Sequence, residues 1–183
     1  MAGGEHFLSV MISTIDIRVS FVYNLDMTKK ARTLTLMAGG PASGKSTTLR
    51  RLYPGLPIVD CDKHKAAHPD YDPKNPGALH RWSSLEATKE FNERLAGDVD
   101  FAFDGTGTNA EKYVMFANAA HAAGWVVRLL YVSCDLKTAL KRNAERERVV
   151  EENVVRDKYA SIAASFEIVS RYVDEVVVVD NAK

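Results

Sequence analysis

Residues 36–50, LMAGGPASGKSTTLR, decide how the rest of the chain is read. Gly39, Gly44, Lys45 and Ser46 satisfy the spacing G-x-x-x-x-G-K-S/T. The run TLTLMA before it reads as a short strand, and a helix follows from about Lys45 to Leu52, broken by Pro54, Gly55 and Pro57. Glycines between a strand and a helix let the backbone N–H groups turn inward as a cup of donors. The positive end of the following helix adds to the same field. Such a cup fits a phosphate chain. Gly39, Gly40, Pro41, Ala42, Ser43, Gly44, Lys45, Ser46 and Thr47 are therefore the candidate nucleotide-binding residues, with ATP as donor. Lys45 is expected to reach the β- and γ-phosphates and the Ser46 hydroxyl to ligate Mg²⁺.

Outward from this loop the chain alternates. PIVD, VDFAF, WVVRLLYV and EVVVVD read as strands. Helices are expected over about 79–97, from Asn109 to Gly124, over 136–146 and over 151–172, with 66–78 as a proline-rich loop. In the first of these Leu79, Trp82, Leu85, Phe91 and Leu95 form the expected apolar face, with Trp82 packed in the core. Strand–helix alternation implies an α/β fold, a three-layer sandwich around a five-stranded parallel sheet in the order 2-3-1-4-5. Ligands of such sheets bind at the C-terminal ends of the strands. Residues 33–183 are read as this one domain. Residues 1–32 are read as an N-terminal extension with an accessory strand, because Ile15, Ile17, Val19, Phe21 and Tyr23 alternate with other residues. Met27 precedes basic residues and the first strand, so residues 1–26 are expected to be dispensable.

The carboxylates say what becomes of the phosphate. No N-K-x-D segment is present to read guanine, and no strand-end Asp is followed by a water-activating Glu. Transfer to a hydroxyl is the remaining option. Asp60 and Asp62 end the second strand, beside the phosphate edge, and Asp62 is the candidate general base. Turn and capping roles compete with this reading, more strongly for Asp60. Asp104 ends the third strand and is a candidate for the Mg²⁺ shell or for substrate. Thr106, Thr108 and Asn109 present short polar groups at the next helix start, where Asn109 also reads as a plain N-cap. Lys141, Arg142, Arg146, Arg148, Arg156 and Lys158 straddle a late helix junction. Arg146 is the candidate lid arginine, with Arg142 and Arg148 beside it; a solvated charged face is the competing reading.

Hydrophobic residues make up 46% of the 183 and charged residues 26%, enough for an ordinary core. The formal net charge is zero, which argues against a broad electrostatic grip on nucleic acid but leaves room for a local basic groove. Cys61 and Cys134 read as reduced thiols near the core, and His64, His68, His80 and His121 show no ligand spacing. No apolar run is long enough for a membrane span, and a cytoplasmic location is expected.

Residues 33–181 resemble the P-loop hydroxyl kinases that include zeta toxins and bacteriophage polynucleotide 5′-hydroxyl kinases. DCDKHKAAHPDYD with DGTG carries the first likeness, LKRNAER followed by VVRDKYASI the second. The resemblance implies Asp62 as general base, Lys65 as a cation beside it, Asp104 as a functional carboxylate and Arg146 as the lid arginine. Lys65, Asp104, Thr106 and Thr108 are thus the substrate-binding candidates, and Ser46 with Asp104 the metal candidates. Zeta toxins commonly carry Arg after G-T-G where this chain has Thr108, and the polynucleotide kinase has Arg in place of Lys65. The acceptor expected first is a hydroxyl on DNA, a 5′-end or a 5-hydroxymethyluracil base. A sugar nucleotide such as UDP-N-acetylglucosamine is the alternative, and an ATP-dependent binding switch is the reading from another class.

Overall fold

The computed structural model describes residues 6–12, 15–21, 31–73, 75, 77–146 and 149–182, the first two segments as backbone only. Two antiparallel strands, β1 (His6–Ile12) and β2 (Ile15–Phe21), come first. Then follow β3 (Thr33–Ala38), α1 (Lys45–Leu52), β4 (Ile58–Asp60), α2 (Cys61–Ala67), α3 (His80–Leu95) and β5 (Phe101–Asp104). The chain continues with α4 (Ala110–Ala122), β6 (Val126–Ser133), α5 (Leu136–Ala144), α6 (Glu152–Val169), a short 3₁₀ turn (Ser170–Tyr172) and β7 (Glu175–Asp180).

Strands β4, β5, β3, β6 and β7 are parallel neighbours in that order, the 2-3-1-4-5 arrangement read from the sequence. The sheet is wider than five strands. β2 pairs antiparallel with β7, Ile17 opposite Val179, and β1 pairs with β2, giving seven strands. β1 was not foreseen; Tyr23 and Met27 lie outside the described residues.

β3 is buried on both faces, as a central parallel strand must be. Its alternation feeds two cores. Leu34 and Leu36 face Phe91, Phe101, Phe103, Phe116 and Trp125 beneath α3 and α4. Met37 faces Leu49, Leu130, Val132, Val177 and Val179 beneath α1. Phe91 stacks on Phe116 at 3.9 Å between ring centroids, and Phe103 meets Phe116 edge-on at 4.8 Å. Such pairs add about 0.5–1.5 kcal/mol each beyond burial.

Two local expectations fail. Residues 61–67 form α2, unforeseen because seven residues hold no apolar repeat. Local electrostatics supports it: the Asp60 carboxylate accepts from the Asp62 N–H at 2.8 Å, Asp62 sits in the first turn and His64 and Lys65 in the last. In α3 the buried positions are Ser83, Ala87 and Phe91, four residues apart. Leu85 is 62% exposed, and Trp82 stands at the surface with its ring edge on His68. Small side chains at 83 and 87 let the helix lie close to the sheet, which turns Trp82 outward. No described helix is long and apolar enough to cross a membrane.

Candidate active site

The glycine loop leaves β3 at its C-terminal end and enters α1. Gly44 is the residue before α1, with φ of +89°. A Cβ there would meet the Asn181 Nδ2 atom at 2.3 Å. Gly40 is needed for a different reason, close approach: its Cβ would sit 2.1 Å from the Tyr159 ring. Ala42 holds φ of +57°, a left-handed conformation that costs a non-glycine residue about 1–3 kcal/mol. The loop is fastened from afar. Asn181 donates to the Ser43 carbonyl at 2.8 Å, the Tyr159 hydroxyl to the Pro41 carbonyl at 3.3 Å, and the Gly39 N–H to the Thr106 carbonyl at 3.0 Å.

Lys45 Nζ donates to the Gly39 and Gly40 carbonyls at 2.8 and 3.0 Å, so its ammonium lies over the cup. Burial holds it below the usual lysine range. Asp104 opposes that shift, Arg146 adds to it, and Asp62 opposes it more weakly. Lys45 therefore feels both carboxylates and the lid candidate. The Ser46 hydroxyl donates to Asp104 Oδ2 at 3.1 Å. Burial pushes the Asp104 carboxyl up, against the pull of Lys45 and of the Ser46 bond; Asp60 and Asp62 push it further. The β4–β5 register sets Asp60 opposite Asp104. Thr47 is exposed. Ser43 Oγ is buried with no hydrogen-bond partner, an orphaned polar atom inside the cup.

Asp62 projects from the first turn of α2, its side chain 58% exposed, and accepts from Lys65 Nζ at 3.0 Å. Lys65 itself is 7% exposed. Thr106 and Thr108 share a hydroxyl–hydroxyl bond at 3.0 Å, and Lys158 Nζ donates to Thr108 at 3.4 Å. Arg146 is exposed just past α5. Arg142 donates to the Asn181 carbonyl at 2.8 Å and lies 3.5 Å from the Cys134 sulfur, against the C-terminal segment. Arg148 lies outside the described residues. Asp60 caps α2, and Asn109 caps α4 by accepting from the Lys112 N–H at 2.9 Å.

Sequence reasoning missed Asn181 and Tyr159, which hold the loop from positions more than a hundred residues away. Nothing in their local sequence marks them.

The residues fit a nucleoside triphosphate with Mg²⁺: a glycine loop ahead of a helix, with an orphaned Ser43 hydroxyl, the Lys45 ammonium over the loop and a Ser46–Asp104 pair beside it. Among the described residues no three His, Cys, Asp or Glu groups cluster as metal ligands.

No curated protein matches the chain by sequence. The fold is similar to a structure from the PezAT chromosomal toxin–antitoxin system of Streptococcus pneumoniae, with 13% identity and a TM-score of 0.62 over 82% of this chain and 67% of that one. It is similar to the AvrRxo1-ORF1:-ORF2 structure with ATP, with 15% identity, a TM-score of 0.62 and coverage of 78% and 51%. The chain thus spans about half the length of that protein. A gluconokinase from Sinorhizobium meliloti is similar at 16% identity and a TM-score of 0.56, over 85% of this chain and 86% of that one. These likenesses reach the fold. The sequence itself matches the AAA domain family over residues 34–169, from the first parallel strand to the end of α6, and the chain belongs to that family.

Proposed function

We propose that the protein is an ATP-dependent kinase whose acceptor is a hydroxyl on a small molecule. One observation carries the reading: Asp62, in the first turn of α2 directly after β4, is near enough to act on the charge of Lys45 and of Asp104, which ends the neighbouring β5. A carboxylate facing a phosphate cup is what hydroxyl activation requires. In this reading the loop N–H groups and Lys45 bind the phosphate chain. Ser46 and Asp104 hold Mg²⁺, which when bound neutralises phosphate charge. Asp62 accepts the proton of the acceptor hydroxyl as its oxygen bonds to the γ-phosphorus. The bond to the β-bridging oxygen breaks and ADP leaves. Lys65 orients Asp62, and Arg146 supplies positive charge from the lid side.

The zero net charge and the small-molecule kinase among the similar folds favour a small acceptor over the DNA hydroxyl that the sequence reading put first. The test is γ-labelled ATP offered with 5′-hydroxyl DNA, hydroxymethyluracil DNA, UDP-N-acetylglucosamine and small polyols and hydroxy acids. Label confined to either DNA would reverse the acceptor. ATP bound tightly with no phosphorylated product would replace the kinase by a binding switch.

A further inference from the structure

The last turn of α5 reaches the glycine loop through a chain of hydrogen bonds. Asp135 starts α5 by accepting from the Thr138 N–H at 2.8 Å, and Lys141 and Arg142 fall in its last turn, where cations suit the negative end of a helix. Arg142 passes 3.5 Å from the Cys134 sulfur, and its Nη1 donates to the Asn181 backbone carbonyl at 2.8 Å. Asn181 follows β7 at the C-terminal edge of the sheet, and its N–H donates to the Ser133 carbonyl of the neighbouring β6 at 2.9 Å. Both polar groups of the Asn181 backbone are therefore held. Its side chain starts from a fixed point, and Nδ2 reaches past the end of β6 to donate to the Ser43 carbonyl at 2.8 Å.

The Ser43 carbonyl matters because of what lies on the other side of its peptide. A trans peptide points the carbonyl of one residue and the N–H of the next in opposite directions. Holding the Ser43 carbonyl toward Asn181 turns the Gly44 N–H away from it. Among the described residues no group accepts that N–H, so it is left for a ligand in the loop. The fit is close: Gly44 has φ of +89°, and a Cβ there would meet Asn181 Nδ2 at 2.3 Å. The sequence places Arg142 beside the lid arginine. The hydrogen bonds place it behind the loop.

We propose, resting on the kinase reading above for the nucleotide, that Arg142 is a positioning residue of the donor site: it acts through Asn181 to set the Ser43–Gly44 peptide and touches no phosphate itself. The two roles open to this arginine differ in their kinetics. One that touches the transferring phosphoryl group is worth about 10³- to 10⁵-fold in kcat. One that sets the loop is felt in nucleotide binding, by ATP and ADP alike.

The experiment compares Arg142→Met, Arg142→Lys, Asn181→Ala and the double variant Arg142→Met with Asn181→Ala. Calorimetry reads Mg²⁺·ATP and Mg²⁺·ADP binding. Label transfer from γ-labelled ATP to a pool of small polyols and hydroxy acids reads kcat and the KM for ATP. Arg142→Met and Asn181→Ala each weaken both nucleotides roughly 3- to 10-fold, the loss of about one hydrogen bond. The double variant binds little worse than either single one, because both changes cut the same chain of bonds. At saturating ATP, kcat stays within about threefold of the parent protein. Arg142→Lys recovers most of the affinity, since an ammonium N–H replaces a single guanidinium bond to a carbonyl. Asn181→Ala leaves α5 untouched and reports on the loop even where Arg142→Met does not fold. Nucleotide affinity intact in Arg142→Met, with kcat down by about 100-fold or more, would overturn the proposal, make Arg142 a lid residue and leave the kinase standing. Additive losses in the double variant would overturn it too, because Arg142 would then act on the nucleotide without Asn181. The expected binding pattern with no transfer to any hydroxyl would uphold the positioning role and remove the kinase reading.

Discussion

Replacing Asp62 by Asn separates the chemistry of the site from its architecture. The amide keeps the size of the carboxylate and loses its ability to take a proton. General-base catalysis is worth about 100- to 10,000-fold. The transfer step therefore slows by that factor, about 3–5 kcal/mol in barrier. The structure also predicts a stability change. Lys65 is 7% exposed and its ammonium is paired with Asp62 at 3.0 Å. The Asn amide oxygen still accepts a bond but carries no charge, so roughly 1–2 kcal/mol is lost. For a chain of this size that lowers the thermal midpoint by roughly 2–8 °C. ATP affinity changes little, because Asp62 lies on α2, outside the glycine loop. A double variant, Asp62→Asn with Lys65→Met, removes both charges. With Lys65 gone no buried ammonium is left unpaired, and the exposed amide at position 62 stays solvated, so most of the lost stability returns while activity does not. Single-turnover transfer of labelled phosphate, calorimetric ATP binding and thermal melts read the three quantities. Transfer within threefold of the parent protein would remove Asp62 from the base role.

In the proposed mechanism Asp104 holds Mg²⁺ as the carboxylate; burial raises its carboxyl, so metal binding there would be coupled to loss of a proton. As pH falls through the raised pKa, apparent Mg²⁺ affinity drops. The acid limb of the rate profile therefore lies above the ordinary Asp value of about 3.9, and more Mg²⁺ moves it to lower pH. An acid limb indifferent to Mg²⁺ contradicts this. Without metal the same shift makes folding less favourable as pH rises from the unfolded to the folded pKa. Gly40→Ala drives a Cβ into the Tyr159 ring and is expected to weaken ATP binding by roughly 10-fold, about 1.4 kcal/mol, with Tyr159→Leu restoring much of it. Binding unchanged by Gly40→Ala refutes the role of that contact. A chain lacking residues 1–26 is expected to fold and turn over, since the parallel sheet from β3 to β7 and its helices all follow residue 32. Loss of either property makes the N-terminal strands part of the working domain.

The strand–glycine loop–helix unit was legible because its information is local: a glycine spacing between a strand and a helix. The order of the parallel strands was legible because right-handed crossovers leave few arrangements. Other features had no local signal. CDKHKAA is too short to show helical periodicity, so α2 was not read as a helix and its last two residues were taken into the 66–78 loop, although its cap and charges specify it. The face of α3 was misjudged because Ser83 and Ala87 pack while Trp82 and Leu85 do not. The residues that fasten the glycine loop were hidden for a different reason. Tyr159 and Asn181 are ordinary residues far along the chain, and only the fold brings them to it.

The central claim is that this cleft moves a phosphoryl group to a hydroxyl. It is tested most directly by incubating the protein with γ-labelled ATP, Mg²⁺ and a small-molecule cell extract, and counting ADP against labelled organic phosphate. The account predicts one ADP for each label recovered on an acceptor hydroxyl, with that label lost in Asp62→Asn. Bound ATP with no labelled organic product, or label recovered solely as inorganic phosphate, would contradict it.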